Sequence, residues 1–395
     1  MECIDQGGLA FRSIQAKRHR LDFSDVSFLV TKHGMSRTVR EIREEWLEHP
    51  LQLAEDFAEQ YSIDNADVTV DLMTSHWHDA EIVNYYEQQT RKCSPSPSIS
   101  QRQPSVTVGI AHFNLGQFLP DTLASLAEQS YDNLEVVVID DGSTDAYSKA
   151  EFERMQSLYP QYRFLTQKNV GIGATRNRAL ELANGKYFLP MDADNIAHPD
   201  MVSTLVNAME ANPDLAAVSC YFLAFRDREE IQTGDFSYSY RPIGGPRLLA
   251  SMLNVYGDGN ALFSTERLRL VGGYSTDRDT SWEDWEVFIK LARAGLAIDV
   301  VPEFLFYYRH RDDGFSRETN GYRNRQRILR WFESKKSFSD TEMKMLMNLL
   351  ISLQSRLEEK ENDNRAFRKK LTARRYRLVD RAHALVKSVG SLIGF

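Results

Sequence analysis

Apolar and polar positions along the chain form three successive patterns. Before residue 93 the apolar positions recur at helical spacing, and strand signals are few. From Val106 onward, short apolar runs alternate with amphipathic segments of 10–12 residues. After Tyr322 the strand signals stop and helical spacing returns. The patterns therefore predict a helical N-terminal module, a central α/β domain and a helical extension.

The boundaries of these parts follow from a change in composition. Prolines, serines and glutamines are frequent in Cys93–Pro104. This composition predicts a linker between domains. We therefore predict an accessory module over 1–92, a linker over 93–104, a catalytic-type domain over 105–320 and an extension over 321–395. The helices predicted in the first module are Ser36–Trp46, Pro50–Tyr61 and Asp79–Gln89.

The central domain is predicted to be a Rossmann-like α/β fold with a mostly parallel sheet. The predicted strands are Val106–Ala111, Glu135–Ile139, Tyr162–Leu165, Tyr187–Met191 and Leu215–Phe222. The predicted helices are Phe118–Gln129, Ala174–Ala183 and Met201–Ala211. Ligands of such sheets bind beyond the carboxyl ends of the strands, so polar residues directly after each strand are the first candidates for a site.

Composition and charge narrow the class of protein. A hydrophobic content of 42% with 26% charged residues is typical of a globular protein, and no apolar run approaches the about 18–20 residues that span a bilayer. The N-terminal residues carry no export signal, so a cytoplasmic location is expected. A net charge of −8 argues against a nucleic-acid partner. The three cysteines have no metal-ligand spacing and are assigned no chemistry.

The helical extension carries two surface features. Met343, Leu346 and Leu350 begin a short heptad-like stripe that favours pairing with another helix, including self-association. Nine basic residues against one acidic residue follow between Arg365 and Lys387. This tail is interpreted either as a peripheral contact with anionic lipid at the inner face of the membrane or as a solvated charged helix.

Two motifs suggest a nucleotide site. VVVIDDGSTD runs a buried strand directly into Asp140 and Asp141, whose carboxylates can accept hydrogen bonds from a nucleobase or a ribose, although the segment also fits a helix cap. NVGIGATRN places glycines before a helix that carries Arg176, a suitable partner for a diphosphate. Each motif is common by itself.

A third motif, YFLPMDADN, suggests a metal site. Asp192 and Asp194 follow an apolar strand, and two carboxylates separated by one residue can point the same way in an extended chain. They would supply hard oxygen ligands for Mg²⁺ or Mn²⁺, with nucleotide phosphates completing the shell. Surface turns also contain this pattern, and only the neighbouring motifs favour the metal reading.

The remaining motifs lie nearer the end of the central domain. SWEDWEVFIKLARAG opens a helix with Glu283 and Asp284, and Trp282 could wall a sugar site, although acidic residues also stabilise helix starts. An aromatic strand leads to His310, a candidate metal or diphosphate contact. Arg311 and Arg317 would add positive charge. The long segment Arg226–Gly257 is interpreted as an acceptor-binding lid or as a decorated loop.

Taken in order, these segments resemble glycosyltransferase family 2, a family of inverting enzymes with the GT-A fold. The likeness spans Ser105 to about Arg317 and also includes VTVGIAHFN, GNALFSTERLRLVGGY and YYRHRDDGFSR. The resemblance implies a metal-dependent transfer from a nucleotide sugar, with UDP-sugars expected, to a hydroxyl of a glycan or lipid-linked acceptor in cell-surface polysaccharide or glycoconjugate synthesis.

The resemblance also implies roles for individual residues. Asp284 would be the general base, and Asp194 and His310 would bind the Mn²⁺ or Mg²⁺ ion. Asp141 would hold the nucleobase and Asp192 would lie near the ribose. The expected nucleotide-sugar site as a whole comprises Ala111, Phe113, Asp141, Arg176, Asp192, Ala193, Trp282 and Glu283.

Two departures from the family pattern qualify these expectations. Ala111, His112 and Phe113 replace the more usual small residue or proline, threonine and tyrosine, which leaves the preferred nucleobase open. No QxxRW sequence follows the base, which speaks against a processive synthase. A non-catalytic partner with the same fold and a nucleotidyltransferase are the competing readings. The sequence fixes neither the donor sugar nor the acceptor.

Overall fold

The computed structural model describes residues 2–4, 8–32, 35–43, 47, 49–71, 103–278, 280–311, 319–332, 338–339 and 342–347, with a few single positions from 350 to 365. The predictions that lie outside these residues are the helix Asp79–Gln89, nearly all of the linker, the role of Arg317 and the basic tail beyond Arg365. Within the described part of the chain, no helix has the length and apolar character needed to cross a bilayer.

The N-terminal module contains a small sheet in addition to its helices. Its helices are α1 (Phe11–Arg18), α2 (Ser36–Ile42) and α3 (Leu51–Asn65). Its strands are β1 (Glu2–Ile4), β2 (Leu29–Lys32) and β3 (Val68–Asp71), which pair in parallel in that order. The sequence predicts a helical module, and the described residues also contain this small sheet, because strands of three or four residues are too short to show an alternating pattern.

A nine-stranded mixed sheet forms the main domain. The strands in chain order are β4 (Val106–His112), β5 (Leu134–Asp140), β6 (Arg163–Thr166), β7 (Tyr187–Asp192), β8 (Ile196–Ala197), β9 (Leu215–Phe225), β10 (Tyr238–Tyr240), β11 (Leu262–Ser264) and β12 (Ala297–Arg309). The order across the sheet is β6-β5-β4-β7-β11-β9-β12-β8, and β10 pairs with β9. The long pairs β4–β5, β4–β7, β5–β6 and β9–β12 are parallel, and the short pairs are antiparallel.

Helices cover both faces of this sheet. They are α4 (Leu119–Ala127), α5 (Ala146–Leu158), α6 (Ile172–Leu182), α7 (Met201–Ala211), α8 (Arg228–Thr233), α9 (Arg247–Ala250), α10 (Thr265–Leu270), α11 (Glu283–Arg293) and α12 (Gly321–Arg330). Helices α4, α5 and α7 share one core cluster with β4, represented by Leu123, Phe152 and Leu205. Helices α6, α9 and α11 share the other cluster, represented by Leu180 and Phe288. The predicted two-sided α/β arrangement is therefore present.

Part of the predicted heptad stripe is used inside the chain. Leu346 packs against the core cluster of α6, α9 and α11, together with Met345. Met343 and Leu350 are exposed. The stripe therefore belongs in part to the chain's own core, and self-association through it stays a prediction.

A buried carboxylate joins the N-terminal module to β12. Asp299 accepts hydrogen bonds from Gln15 Nε2 at 2.9 Å, Arg18 Nη1 at 2.8 Å and the Tyr61 hydroxyl at 2.7 Å. His19 Nε2 lies 3.3 Å away. Burial raises the pKa of Asp299, but the hydrogen bond and charge of His19 and the charge of Arg18 outweigh it, so the pKa is below its usual range. The module is thus fixed to the main domain by paired charges as well as apolar packing.

Candidate active site

The carboxyl ends of three parallel strands form one edge of the candidate site. The register pairs Ala111 of β4 with Ile139 of β5 on one side and with Asp192 of β7 on the other. Polar residues that follow these strands therefore lie next to one another. The residues of β4, β5 and β7 that are predicted to bind the nucleotide sugar therefore lie at the same edge of the sheet.

Asp192, at the end of β7, is held by hydrogen bonds to Arg176 and Asn260. Arg176 Nη2 donates to its Oδ1 at 2.5 Å, and Asn260 Nδ2 donates to its Oδ2 at 3.2 Å. The Asp192 backbone N–H also donates to Asn260 Oδ1 at 3.0 Å. Ala193 follows and is only 1% exposed, so contact between Ala193 and a ligand would have to involve its backbone.

Asp194 lies between an acidic and a basic neighbour. Arg311 Nε forms an ion pair with Asp194 Oδ2 at 3.0 Å, and Arg309 Nε donates to the Asp194 carbonyl at 2.9 Å. Burial and the charge of Asp192 nevertheless raise the pKa of Asp194 to about 6. Its side chain keeps 15% of its surface exposed, so a ligand can reach the carboxylate.

Asp258 is a further acid at this site, and the sequence analysis did not identify it. The Asn260 backbone N–H donates to its Oδ1 at 3.0 Å, and the Asn260 side chain donates at 2.5 Å. Burial and then the charge of Asp192 raise its pKa to about 6. An aspartate between two glycines in GDGN was the available signal. Gly257 has φ +143 and a built Cβ there would lie 2.4 Å from Ser219, so glycine is required.

The start of α11 completes the acidic group. Trp282 precedes the helix in the left-handed region, with φ +69, a conformation rare for a bulky residue. Asp284 is half-buried on the first turn. Burial raises the pKa of Asp284 to about 7, and the charges of Glu283 and Asp258 act in the same direction. Asp284 therefore holds a proton far more readily than an ordinary aspartate.

Arg176 connects the two halves of the site. Besides its bond to Asp192, its Nη1 donates to Glu283 Oε1 at 2.5 Å, and its guanidinium lies over the Tyr274 ring. Burial lowers the pKa of Arg176, but the carboxylates of Asp192 and Glu283 more than compensate, so the net shift is upward. The arginine is 5% exposed and both edges of its guanidinium are occupied by carboxylates. In this conformation it positions the acids.

The loop after β5 is shaped by its two aspartates. Asp140 accepts from His112 Nδ1 at 2.9 Å and from the Ser143 hydroxyl at 2.5 Å. Asp141 accepts from Gln167 Nε2 at 2.7 Å and from the backbone N–H groups of Val170 and Gly171 at 2.9 and 2.8 Å. A carboxylate offers about four acceptor positions, so about one on Asp141 remains for a ligand.

Three residues around this loop define its accessible surface. Gly171 directly precedes α6 with φ +93, and its N–H donates to Asp141. Phe113 is 40% exposed at the end of β4, and Val170 is 41% exposed on the facing loop. Sequence reasoning predicted Phe113 but missed Val170, because an isolated apolar residue in a loop carries no pattern.

The end of β12 contributes aromatic and basic groups. The His310 backbone N–H donates to the Phe225 carbonyl at 2.8 Å, and its ring meets Tyr238 edge-on at 5.5 Å between centroids. Burial raises the pKa of Tyr308, with Asp258 and Asp192 as further causes. Tyr308 therefore lies among the site's acids. Arg311, one position after the predicted histidine, forms an ion pair with the Asp194 carboxylate.

Helix α12 holds the start of α11 in place. Arg327 is 1% exposed; its Nη1 donates to Thr280 Oγ1 at 2.6 Å, and its Nε lies 3.2 Å from Glu286 Oε2. Asn324 is fully buried and donates to the Ser281 hydroxyl at 2.8 Å, while the Ser281 backbone N–H donates back to Asn324 Oδ1 at 2.9 Å. Neither residue was predicted, because polar residues on a helix usually face solvent.

The acids of the site have the chemistry of ligands for a divalent cation. Asp192 and Asp194 offer carboxylate oxygens, which Mg²⁺ and Mn²⁺ prefer. Among the residues that the structure describes, no three acidic, histidine or cysteine side chains lie close enough together to hold a metal ion. The residues fit such an ion in their chemistry, but the remaining ligands would have to come from a bound substrate.

Parts of the chain are similar in sequence to known proteins. Residues 107–269 match the family model described as Glycosyl transferase family 2. An uncharacterized glycosyltransferase of Haemophilus influenzae is 27% identical over 226 residues, and the chondroitin synthase of Escherichia coli is 28% identical over 199 residues. These alignments cover 52% and 49% of this chain, but 65% and 27% of the relatives. The chain therefore spans less than two thirds of either relative.

A solved structure supports the fold. The Staphylococcus aureus TarS 1-349 structure in complex with UDP-GlcNAc superposes with a TM-score of 0.50 at 17% identity, covering 64% of this chain and 73% of that chain. At this identity the likeness concerns the fold alone. The predicted α/β fold of the GT-A type is confirmed.

Proposed function

We propose that this chain is an inverting glycosyltransferase, because residues 107–269 match the family model described as Glycosyl transferase family 2. It would move a sugar from a nucleoside-diphosphate donor, with UDP-sugars as the first candidates, to a hydroxyl of a glycan or lipid-linked acceptor. The relative named chondroitin synthase supports a role in polysaccharide synthesis. Location at the inner face of the cell membrane stays a prediction from the sequence.

One observation carries this proposal. Four aspartates from three separate segments, at 192, 194, 258 and 284, influence one another's charge, and the carboxylate of Asp284 has its pKa raised to about 7. A general base works best when its pKa lies near the pH of the reaction. A purely binding protein would gain nothing from a carboxylate tuned in this way.

The proposed reaction is a single displacement. Asp284 removes the proton from the acceptor hydroxyl while the hydroxyl oxygen forms a bond to the anomeric carbon of the donor sugar. The bond from that carbon to the diphosphate breaks on the opposite face, and the diphosphate leaves with the electron pair. The transition state resembles an oxocarbenium ion, and one displacement inverts the anomeric configuration.

The donor residues have complementary roles in this proposal. The remaining acceptor position on Asp141 receives a nucleobase N–H, Phe113 and the backbone at Ala111 line the base, and Asp192 lies near the ribose. Arg176 acts by holding Asp192 and Glu283, and the backbone of Ala193 borders the donor. Trp282 lines the part of the site that holds the sugar of the donor.

A divalent cation held by Asp194, His310 and the donor phosphates would neutralise charge on the departing diphosphate. In the structure, positive charge near Asp194 comes from Arg309, which donates to the Asp194 carbonyl, and from Arg311, which pairs with its carboxylate. The segment from Arg226 to Gly257, which includes Tyr238 and Tyr240, is proposed to bind the acceptor. Burial raises the pKa of Tyr240, and the charges of Asp258 and Asp284 raise it further, which supports a position of the segment beside the acids.

Replacing Asp194 by alanine is expected to weaken cation-dependent donor binding by about tenfold or more, since a charged ligand to the ion is lost. Isothermal titration of UDP-, GDP- and dTDP-sugars with Mn²⁺ and with chelator measures this directly. Asp200→Ala is the matched control, because Asp200 is an exposed aspartate just beyond the site. Donor binding that is equal with Mn²⁺ and with chelator in the native protein would contradict the role of Asp194.

Donor hydrolysis, in which water replaces the acceptor, is expected to fall as the pH drops below about 7, because protonated Asp284 cannot accept a proton. Asp258→Asn removes one of the negative charges that raise this pKa, so the acidic limb of the kcat/KM profile should move to lower pH. Asp200→Asn should leave the limb in place. An acidic limb near the ordinary aspartate value of about 3.9 in the native protein would refute the base assignment.

A further inference from the structure

A cationic groove lies beside the start of α11. It has a volume of about 410 Å³ and runs between the loop that contains Asp277, Arg278 and Thr280 and the outer face of α12. The side chains from α12 include Tyr322, Arg323 and Arg330. We call it the arginine groove.

The charge of the arginine groove favours an anionic ligand. Its described lining contains three arginines and a single carboxylate, Asp277. Asp277 forms an ion pair with Arg330 at 3.5 Å, and both side chains are largely exposed, at 46% and 61%. Exposed pairs of this kind are weak, so they yield readily to another anion. In a chain with a net charge of −8, such a surface is a local exception.

The position of the arginine groove connects it with the candidate active site on both sides. Arg278 Nη2 donates to Asn169 Oδ1 at 2.6 Å, and the following residues, Val170 and Gly171, hold Asp141. Thr280 on the other side lies four residues before Asp284 and is held by Arg327. A ligand in the groove would therefore lie between the donor loop and the segment that carries the proposed base.

We propose that the arginine groove binds acidic groups of an anionic glycan acceptor, with Arg323 and Arg330 pairing with its carboxylates or phosphates. Tyr322, which is 73% exposed, offers an aromatic face to a sugar ring. The inference rests on the proposed transfer to a glycan. It adds the chemical class of the acceptor and a second contact surface, on the outer face of α12.

The test compares labelled oligosaccharides of equal length by fluorescence polarisation: neutral maltohexaose, a uronate-bearing hexasaccharide and a phosphodiester-linked oligomer. One or both anionic probes should bind more tightly than the neutral probe, and added salt should weaken that binding. The double variant Arg323→Gln with Arg330→Gln should lose about tenfold in affinity for the anionic probe, as expected for two ion pairs. Arg163→Gln, an exposed arginine on the edge strand β6, should not change it.

The outcomes separate the possible explanations. Comparison of the uronate and phosphodiester probes identifies which anion is recognised. Equal binding of neutral and anionic probes, or an unchanged double variant with a native melting temperature, would overturn the inference. Loss of binding to phosphatidylglycerol vesicles in the double variant, without any oligosaccharide binding, would replace the glycan by a lipid surface. Failure of the proposed function shows separately, as no binding of any nucleotide sugar to the native protein.

Discussion

Replacing Asp284 by asparagine is expected to reduce sugar transfer by about 10²- to 10⁴-fold while donor binding is retained, which is the usual cost of losing a general base. Asparagine has the same shape as aspartate but cannot take the proton of the acceptor hydroxyl. The contacts of Arg176 with Asp192 and Glu283 do not involve this carboxylate, so the donor side of the site should stay intact. Single-turnover transfer and donor titration measure the two effects separately.

The matched control for this experiment is Asp214→Asn, an exposed aspartate directly before β9. It should leave both transfer and donor binding at native levels. Transfer by Asp284→Asn at the native rate, with an acceptor that the native protein uses, would remove Asp284 from the role of base. A parallel loss of donor binding would instead point to a structural role.

Replacing Asp299 by alanine is expected to lower the free energy of unfolding by about 3–5 kcal/mol, the typical cost of breaking a buried ion pair from one side. The change leaves Arg18, His19 and Tyr61 without their shared partner at the junction with β12. Because the pKa of Asp299 is depressed, its stabilisation is present at neutral pH. It should be lost as the pH falls below about 3.9 through the folded-state value.

Urea denaturation followed by tryptophan fluorescence measures this effect, with Asp132→Ala, an exposed aspartate, as control. Limited proteolysis adds a second measurement, since the N-terminal helices should be cleaved earlier in Asp299→Ala than in the native protein. A native denaturation midpoint together with a native cleavage pattern would show that the charge cluster does not hold the module in place.

The sequence predicts the elements that rely on strong local patterns. Met201–Ala211 is predicted and observed with the same bounds, and the predicted strand Tyr187–Met191 differs from the observed one by a single residue. Buried parallel strands give continuous apolar runs that are easy to recognise. The helix Ala146–Leu158 was not predicted, because it has few apolar residues. Its buried apolar side chains are Phe152 and Met155.

The candidate site is predicted only in part, for a different reason. Asp192, Asp194 and Asp284 stand next to recognisable strand or helix signals. Asp258 stands next to no such signal, and Arg327 lies on a helix whose polar residues would ordinarily face solvent, so their importance appears only when distant segments are brought together. Arg176 was expected to face a diphosphate, whereas the structure pairs it with two carboxylates. Local patterns indicate where polar groups lie, but pairing between them depends on the three-dimensional fold.

The length of β12 has a consequence for protein engineering. The segment that matches the family model ends at residue 269, and β12 lies beyond it, between β9 and β8 in the sheet. A chimera that exchanged only residues 107–269 with a relative would combine the new donor acids with the original helix α11 and its base. Their relative placement is set by Arg176 and Arg327, one inside the exchanged segment and one outside it. An exchanged part that keeps these contacts together therefore extends from β4 to α12.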